Sequence, residues 1–275
     1  MNRLLALLSF TLLSSTAMAA DAIVDVEPVP VVEEVVVVGD WTGFYAGIQL
    51  GGAFGDTDEL ELDPFTFPGL VTAFTPPGEP AGSSFNAAGD FDGSAVGGVH
   101  IGYDHQFANN IVLGGILDVS YYDISDRQKA FSRTPAIYQI ERELDYLVTA
   151  RARLGYVFHP RVMGYVTGGL AFGEVDFNYS QPGSTASFTT SGDQDSDFGY
   201  TVGAGVEGLV TERISLGVEY LYTNLGDNDF QANLTGGPFG GPGGFPGSNP
   251  DGTTLTGGDE DFDFHTVQLR LSYRF

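Results

Sequence analysis

Residues 144–158 read LDYLVTARARLGYVF. Leu144, Tyr146, Val148, Ala150, Ala152, Leu154, Tyr156 and Phe158 fall on every second position, while Arg151 and Arg153 stand between them. Side chains two apart share one face of a β-strand, so one face is apolar from end to end and the other carries two full charges. An arginine that faces lipid at the bilayer midplane costs ~2–4 kcal/mol, and two would remove much of a typical stability of ~5–15 kcal/mol. If the apolar face meets hydrocarbon, both arginines must point into a closed interior.

The same period recurs in seven further runs, each rich in Gly, Val, Tyr and Phe: Thr42 to Phe54, Ser94 to Phe107, Ile111 to Tyr122, Val162 to Asp176, Phe198 to Val210, Arg213 to Thr223 and Phe262 to Phe275. Each reaches the ~9–11 tilted residues of a membrane-spanning strand. The connections alternate. Ala108-Asn109-Asn110, His159-Pro160-Arg161 and Thr211-Glu212 are short, whereas Gly55 to Gly93, Asp123 to Glu143, Phe177 to Asp197 and Asn224 to Asp261 are long. An even number of antiparallel strands gathers the short connections on one rim and the long ones on the other, as periplasmic turns and extracellular loops are in an outer-membrane barrel. The expected fold is an all-β, eight-stranded antiparallel transmembrane β-barrel.

Parity then sorts the remaining charges. In the last run Val267, Leu269, Leu271, Tyr273 and Phe275 face outward, with Gln268, Arg270, Ser272 and Arg274 inward; Glu207 and Glu219 are left inside in the sixth and seventh runs, Asp118 in the third, His100 and Asp104 in the second. Arg151, Arg153, Glu207, Glu219, Arg270 and Asp118 all lie four to seven residues from the short-turn end of their strands. They are expected to form one layer, three guanidiniums against three carboxylates, filling the interior that eight strands enclose. A register slip of one residue would abolish it.

The chain has 275 residues, 36 acidic and 11 basic side chains, a formal charge of −25 and no cysteine. No disulfide framework or thiolate site is possible, and a nucleic-acid binder would need clustered Lys and Arg. With 42% apolar and 13% aromatic residues, the chain can build a core despite its acidity. Residues 1–20, with Arg3, the apolar run Leu4 to Leu13 and Ala17-Met18-Ala19, read as a secretory signal peptide, cleaved on export. No later run supplies the ~18 apolar residues of a spanning helix. Residues 21–40 contain DAIVDVEPVPVVEEVVVVG and read as an extended periplasmic linker. A second reading makes EEVVVVG a strand donated to a partner, where it resembles the coupling box of energy-dependent outer-membrane transporters. The barrel domain occupies 41–275.

Candidate chemistry is sparse. By parity His105 and His265 face outward and His159 sits in a turn, so only His100 points inward, and spacing forces no serine near it. A nucleophile, base and orienter cannot be assembled, and no catalytic, cofactor or metal residue is expected. The acidic clusters at 56–63, 193–197 and 259–263 lack the spacing of a helix-loop-helix calcium site. They read as solvated surface, with loose Mg²⁺ or Ca²⁺ bridging to lipopolysaccharide phosphates as the alternative. The loop Asp123 to Glu143 carries Arg127, Lys129, Arg133 and Arg142, and is either hydrated surface or a contact for lipopolysaccharide or an acidic loop. GGPFGGPGGFPGSNPDG at 236–252 lacks the Lys-Ser/Thr end of a phosphate loop and reads as a flexible low-complexity loop.

WTGFYAGIQLGG at 41–52, GGVHIGYDHQF at 97–107, ARARLGYVF at 150–158, YVTGGLAFG at 165–173, VGAGVEG at 202–208, LGVEYLYT at 216–223 and LSYRF at 271–275 resemble the small porin-like outer-membrane β-barrel proteins of α-proteobacteria, of the OmpA/OmpX type. The resemblance implies an integral protein of a Gram-negative outer membrane, surrounded by lipid and lipopolysaccharide. It also implies that Phe275, with Tyr273 and Leu271 at alternate positions, is the signal read by the barrel assembly machinery. The expected role is structural and surface-exposed, for a monomer; a small pore is the alternative, and a lipid-acting enzyme a third reading.

Overall fold

The computed structural model describes residues 39–55, 61–63, 74–78, 87–132, 136–191, 197–226, 231–256 and 262–275. The expected signal peptide, nearly all of the linker and most of the three acidic clusters lie outside the described residues. Among the described residues the strands are β1 (Gly43–Phe54), β2 (Glu61–Asp63), β3 (Ala87–Asp92), β4 (Ala95–Gln106), β5 (Ile111–Ser132), β6 (Ala136–His159), β7 (Val162–Ser180), β8 (Ser187–Ser191), β9 (Asp197–Leu209), β10 (Ile214–Asn224), β11 (Gln231–Thr235), β12 (Thr253–Thr256) and β13 (Asp263–Arg274). Eight of them close into an antiparallel ring in the order β1–β4–β5–β6–β7–β9–β10–β13, with β13 returning to β1. They are the eight segments the alternation marks, and most ends agree within one residue. Ring closure leaves the spanning wall without an edge, so every backbone donor and acceptor in hydrocarbon has a partner.

Leu50, Ile101, Leu117, Leu154, Val206, Val218 and Leu269 on the outer wall are all half exposed or more, which in water would be a large unfavourable apolar surface. Aromatic rings bound this band at both rims. Phe44 and Phe54 on β1, Tyr156 and Tyr146 on β6, and His265 on β13 and Phe275 directly after it are each ten residues apart on the outer face. Ten residues at about 3.4 Å, tilted about 40°, project to roughly 26 Å, which matches the ~25 Å apolar band of a membrane barrel. Phe107 N–H donates to Ile111 O (2.8 Å) and Val210 N–H to Ile214 O (2.8 Å), closing two of the short turns. Asn110 adopts φ 64°, a conformation Asn tolerates.

Beyond the long-connection rim the structure departs from the expected loops. Most of Asp123 to Glu143 is strand, because β5 and β6 continue as a hairpin, and β7 runs on to Ser180. β3 pairs with this extension of β5, and β2, β12, β11 and β8 form a separate four-stranded sheet. Leu144, expected on the lipid face, is fully buried. The cause is a register shift between Leu144 and Leu147, which leaves Asp145 and Tyr146 both exposed and switches the parity of β6. Below it apolar residues face outward to lipid. Above it Tyr138, Ile140 and Leu144 face inward, where they join Phe74, Leu225, Leu234, Phe239, Leu255, Phe262 and Phe264 in one buried cluster.

The glycine-rich stretch 236–252 is not the featureless loop its composition suggests. Gly241 N–H donates to Asn249 O (2.7 Å) and Phe245 N–H to Gly237 O (2.9 Å). At Gly240 (φ 85°) a Cβ would sit 2.0 Å from Asn249 O, so only glycine permits the turn that brings Phe239 into the buried cluster.

Leu269 lies midway along β13 on the lipid face. Leu269→Arg is expected to lower barrel stability by ~2–4 kcal/mol, read as a shift of the urea unfolding equilibrium in lipid vesicles. An unchanged equilibrium would place Leu269 away from hydrocarbon.

Candidate functional site

Inward residues of the eight strands converge in the lumen, and their charges collect in two tiers. In the upper tier Glu219 on β10 accepts from Arg151 Nη1 on β6 (3.0 Å to Oε1), Arg270 Nη1 on β13 (2.7 Å to Oε2) and Gln268 Nε2 (2.8 Å). Arg151 Nη2 also donates to Asp118 Oδ2 on β5 at 2.7 Å, and Arg151 Nη1 to Thr167 Oγ1 on β7 at 3.1 Å. In the lower tier, nearer the short turns, Asp104 Oδ2 on β4 accepts from Arg153 Nη1 and Arg274 Nη2, both at 3.1 Å. Arg153 also donates to Glu207 on β9, and Arg274 Nη1 lies 3.8 Å from Glu207 Oε1. Tyr165 packs flat against Arg153, whose guanidinium carbon is 3.8 Å from the ring centre.

Each tier therefore holds two guanidiniums and two carboxylates, and all eight side chains are 5% exposed or less. Burial costs several kcal/mol per ion, which only this multiple pairing offsets. The single layer of six expected from parity is thus two clusters. Arg151, Asp118, Glu219 and Arg270 meet in one; Arg153 and Glu207 belong to the other, which Asp104 and Arg274 complete. Successive inward residues lie ~7 Å apart along a strand, so Arg151 and Arg153 cannot share a level. The missed members carried a visible signal, since Asp104 and Arg274 both point inward by parity next to the short-turn rim.

Between the tiers lies an arrangement that spacing alone did not reveal. His100 Nε2 is 2.9 Å from Ser272 Oγ, and its Nδ1 is 2.8 Å from Gln49 Oε1. Gln49 Nε2 donates to Ser120 Oγ (2.7 Å), which turns its oxygen toward the imidazole. His100 therefore carries its proton on Nδ1 and accepts from Ser272, assigned by the network. This has the order of a nucleophile, base and orienter, yet His100 and Ser272 are 2% and 3% exposed. His105 and His265 face outward as parity expects, His105 edge-on to Phe107 and His265 2.7 Å from Tyr220 OH, while His159, expected in the turn, is the last residue of β6. Among the described residues, no three His, Cys, Asp or Glu side chains are grouped so as to hold a metal ion.

A closed even-stranded ring, apolar outside and charge-paired within, is the architecture of a bacterial outer-membrane barrel. Residues 5–275 match the family described as "Outer membrane protein beta-barrel domain". The chain belongs to this family. Among curated proteins it is similar to the 31 kDa outer-membrane immunogenic protein of Brucella melitensis biotype 1, with 32% identity over 262 residues and 95% of each chain covered. The 22 kDa outer membrane protein of Rhizobium leguminosarum bv. viciae is 37% identical over 100 residues, 36% of this chain and 42% of that protein. The crystal structure of the outer membrane protein OprG from Pseudomonas aeruginosa superposes with a TM-score of 0.44 at 12% identity, over 87% of this chain and 99% of that one. The protein is an outer-membrane β-barrel of a Gram-negative bacterium, with a surface role in the envelope.

In this outer-membrane barrel the two tiers differ in redundancy. Arg151→Leu would leave Asp118 without its guanidinium and Glu219 with one fewer, and is expected to cost ~3–5 kcal/mol in urea unfolding in vesicles. Arg274→Leu should cost less, because Arg153 still holds both Asp104 and Glu207. Equal losses would contradict the division into tiers.

Proposed function

We propose that the barrel is a monomeric structural protein without channel or enzymatic activity, which holds a loop-built surface on the outside of the membrane. One observation carries the reading: among the described residues, buried side chains occupy the lumen at successive levels. The two charge tiers occupy its lower half, and the apolar cluster of Phe264, Leu147, Leu225, Leu234 and Phe239 closes the half above. A conducting path would have to break paired charges and then cross this apolar cluster. The buried position of Ser272 and His100 likewise supports a packing role for them, since a lipid substrate has no approach to a side chain 3% exposed.

The rim above the membrane supports a contact with lipopolysaccharide through divalent cations. Asp123, Glu143, Asp145, Glu174 and Asp176 are exposed just beyond the aromatic pair Tyr121 and Tyr146. Partial burial, then the neighbouring Glu141 and Asp145, hold the Glu143 carboxyl above its ordinary range. The basic residues of the β5–β6 hairpin favour this over direct phosphate binding, because Arg127 is paired with Asp92 and Glu141, and Arg142 with Asp126. The exposed loops would also give this chain the surface presentation that the name of its immunogenic relatives describes.

At the other end Leu271, Tyr273 and Phe275 face outward on alternate positions, and Phe275 is 79% exposed. These three are proposed as the assembly signal. Deleting Phe275 should reduce the amount inserted in the outer membrane far more than it shifts the unfolding equilibrium of refolded protein; equal insertion would refute the signal. For the lumen, planar-bilayer recording of the refolded protein should show no steady conductance. A steady, reproducible conductance would establish the pore reading instead.

A further inference from the structure

The chain segment before β1 crosses the short-turn mouth of the barrel. β1 lies opposite the β6–β7 turn in the ring, yet Gly39 N–H donates to Pro160 O in that turn at 2.9 Å. Between these points Trp41 is completely buried, packed on Val112, Val157, Met163, Tyr165 and Leu209. Arg274 stacks on its ring at 5.0 Å and donates to its carbonyl, while Gln106 Oε1 accepts from its N–H at 3.0 Å. The seat at Gly39 is tight, since a Cβ there would meet Leu209 Cδ1 at 2.4 Å and Pro160 O at 2.9 Å.

We propose that Gly39–Thr42 is a releasable stopper, which closes the short-turn mouth and, when it lifts, opens the lower charge tier to water while the wall stays folded. Two sets of contacts oppose each other. Burial of the indole, the stacking of Arg274 and a handful of hydrogen bonds hold the segment in place, with no strand pairing among them. Against these, Trp41 Nε1 on the segment and Tyr45 OH, Asp104 Oδ1 and Arg153 Nε beneath it are buried without a hydrogen-bond partner among the described residues. Unpaired buried polar groups are costly, and water admitted by release satisfies them. The ring of eight strands closes without the segment, so release breaks no strand pairing. Above, the upper tier and the apolar plug bar further entry, which makes the opening a blind vestibule rather than a pore.

The absence of cysteine makes the test clean. Met163→Cys under Trp41, and separately Ser120→Cys above the upper tier, are introduced into the full chain refolded in permeabilised lipid vesicles, and reaction with a charged, water-soluble maleimide is timed. Met163→Cys should react slowly but measurably in the parent. Gly39→Val or Trp41→Gly should each raise that rate at least tenfold, with Ser120→Cys unaffected and the strand content by circular dichroism unchanged. Gly39→Val replaces no residue of the eight strands and carries the test if Trp41→Gly fails to insert. The proposal is overturned if Met163→Cys does not react in the parent, if it already reacts as fast as in the variants, if the variants leave it protected, or if Ser120→Cys accelerates in step with it.

Discussion

Inside hydrocarbon a backbone N–H or C=O has no water to turn to, and this requirement governs every other feature of the molecule. A strand meets it only when both neighbours are present, so eight strands must close from β13 back to β1 with none left over. Closure creates an inside. In a ring of eight the inside is only wide enough for side chains, and alternate residues of every strand are delivered to it whether or not they suit one another. What fills the lumen is thus a problem that ring closure imposes.

An apolar filling would satisfy packing but would leave the two faces of each strand alike. A strand slipped by one residue would then exchange lipid-facing and lumen-facing leucines at little cost. Charges remove that ambiguity. A slip of β6 would carry Arg151 and Arg153 into lipid, leave Asp118 without a cation, and leave Glu219 with Arg270 alone and Asp104 and Glu207 with Arg274 alone. Breaking a buried pair costs more than the pair contributes over an apolar substitute, so the tiers act on register more than on net stability. Their neutrality, two positive against two negative in each, lets them do so without a residual field in the membrane.

How much of this was legible in the sequence follows from what the signals measure. The spanning segments stood out because lipid on one side and charge on the other give the strongest possible period of two, as in Leu144 to Phe158. The same period hid the point where the membrane ends. On β6 the even positions from Ala136 to Phe158 are mostly apolar throughout, and nothing in that run marks the shift at Asp145 and Tyr146 after which the apolar face turns inward. Depth was blurred for a related reason. Parity identified Arg151 and Arg153 as inward but not the ~7 Å that separates their levels, so one layer was expected where two exist. His100 and Ser272 meet across β1 from two different strands 172 residues apart, a proximity that only the register of a closed ring creates.

The shift on β6 also explains how one wall serves two solvents. Below it the outer face must be apolar and the inner face polar; above it water surrounds the barrel, and the hydrophobic effect demands the reverse. β7 does both at constant parity by changing residue type, from Leu170 and Phe172 outward to Val175 and Phe177 inward, whereas on β6 one irregularity at the membrane boundary inverts the apolar face. Segments that composition alone would leave as loops then become necessary. The inward-facing Tyr138, Ile140 and Leu144 need apolar partners from above, which Leu234 on β11, Leu255 on β12, and Phe74 and Phe239 from the long connections provide. The glycines around Phe239 make the turns that bring it there. The exposed surface is consequently built on a core of its own, and its shape is tied to the membrane wall through β5, β6 and β7, which run without interruption from one medium into the other.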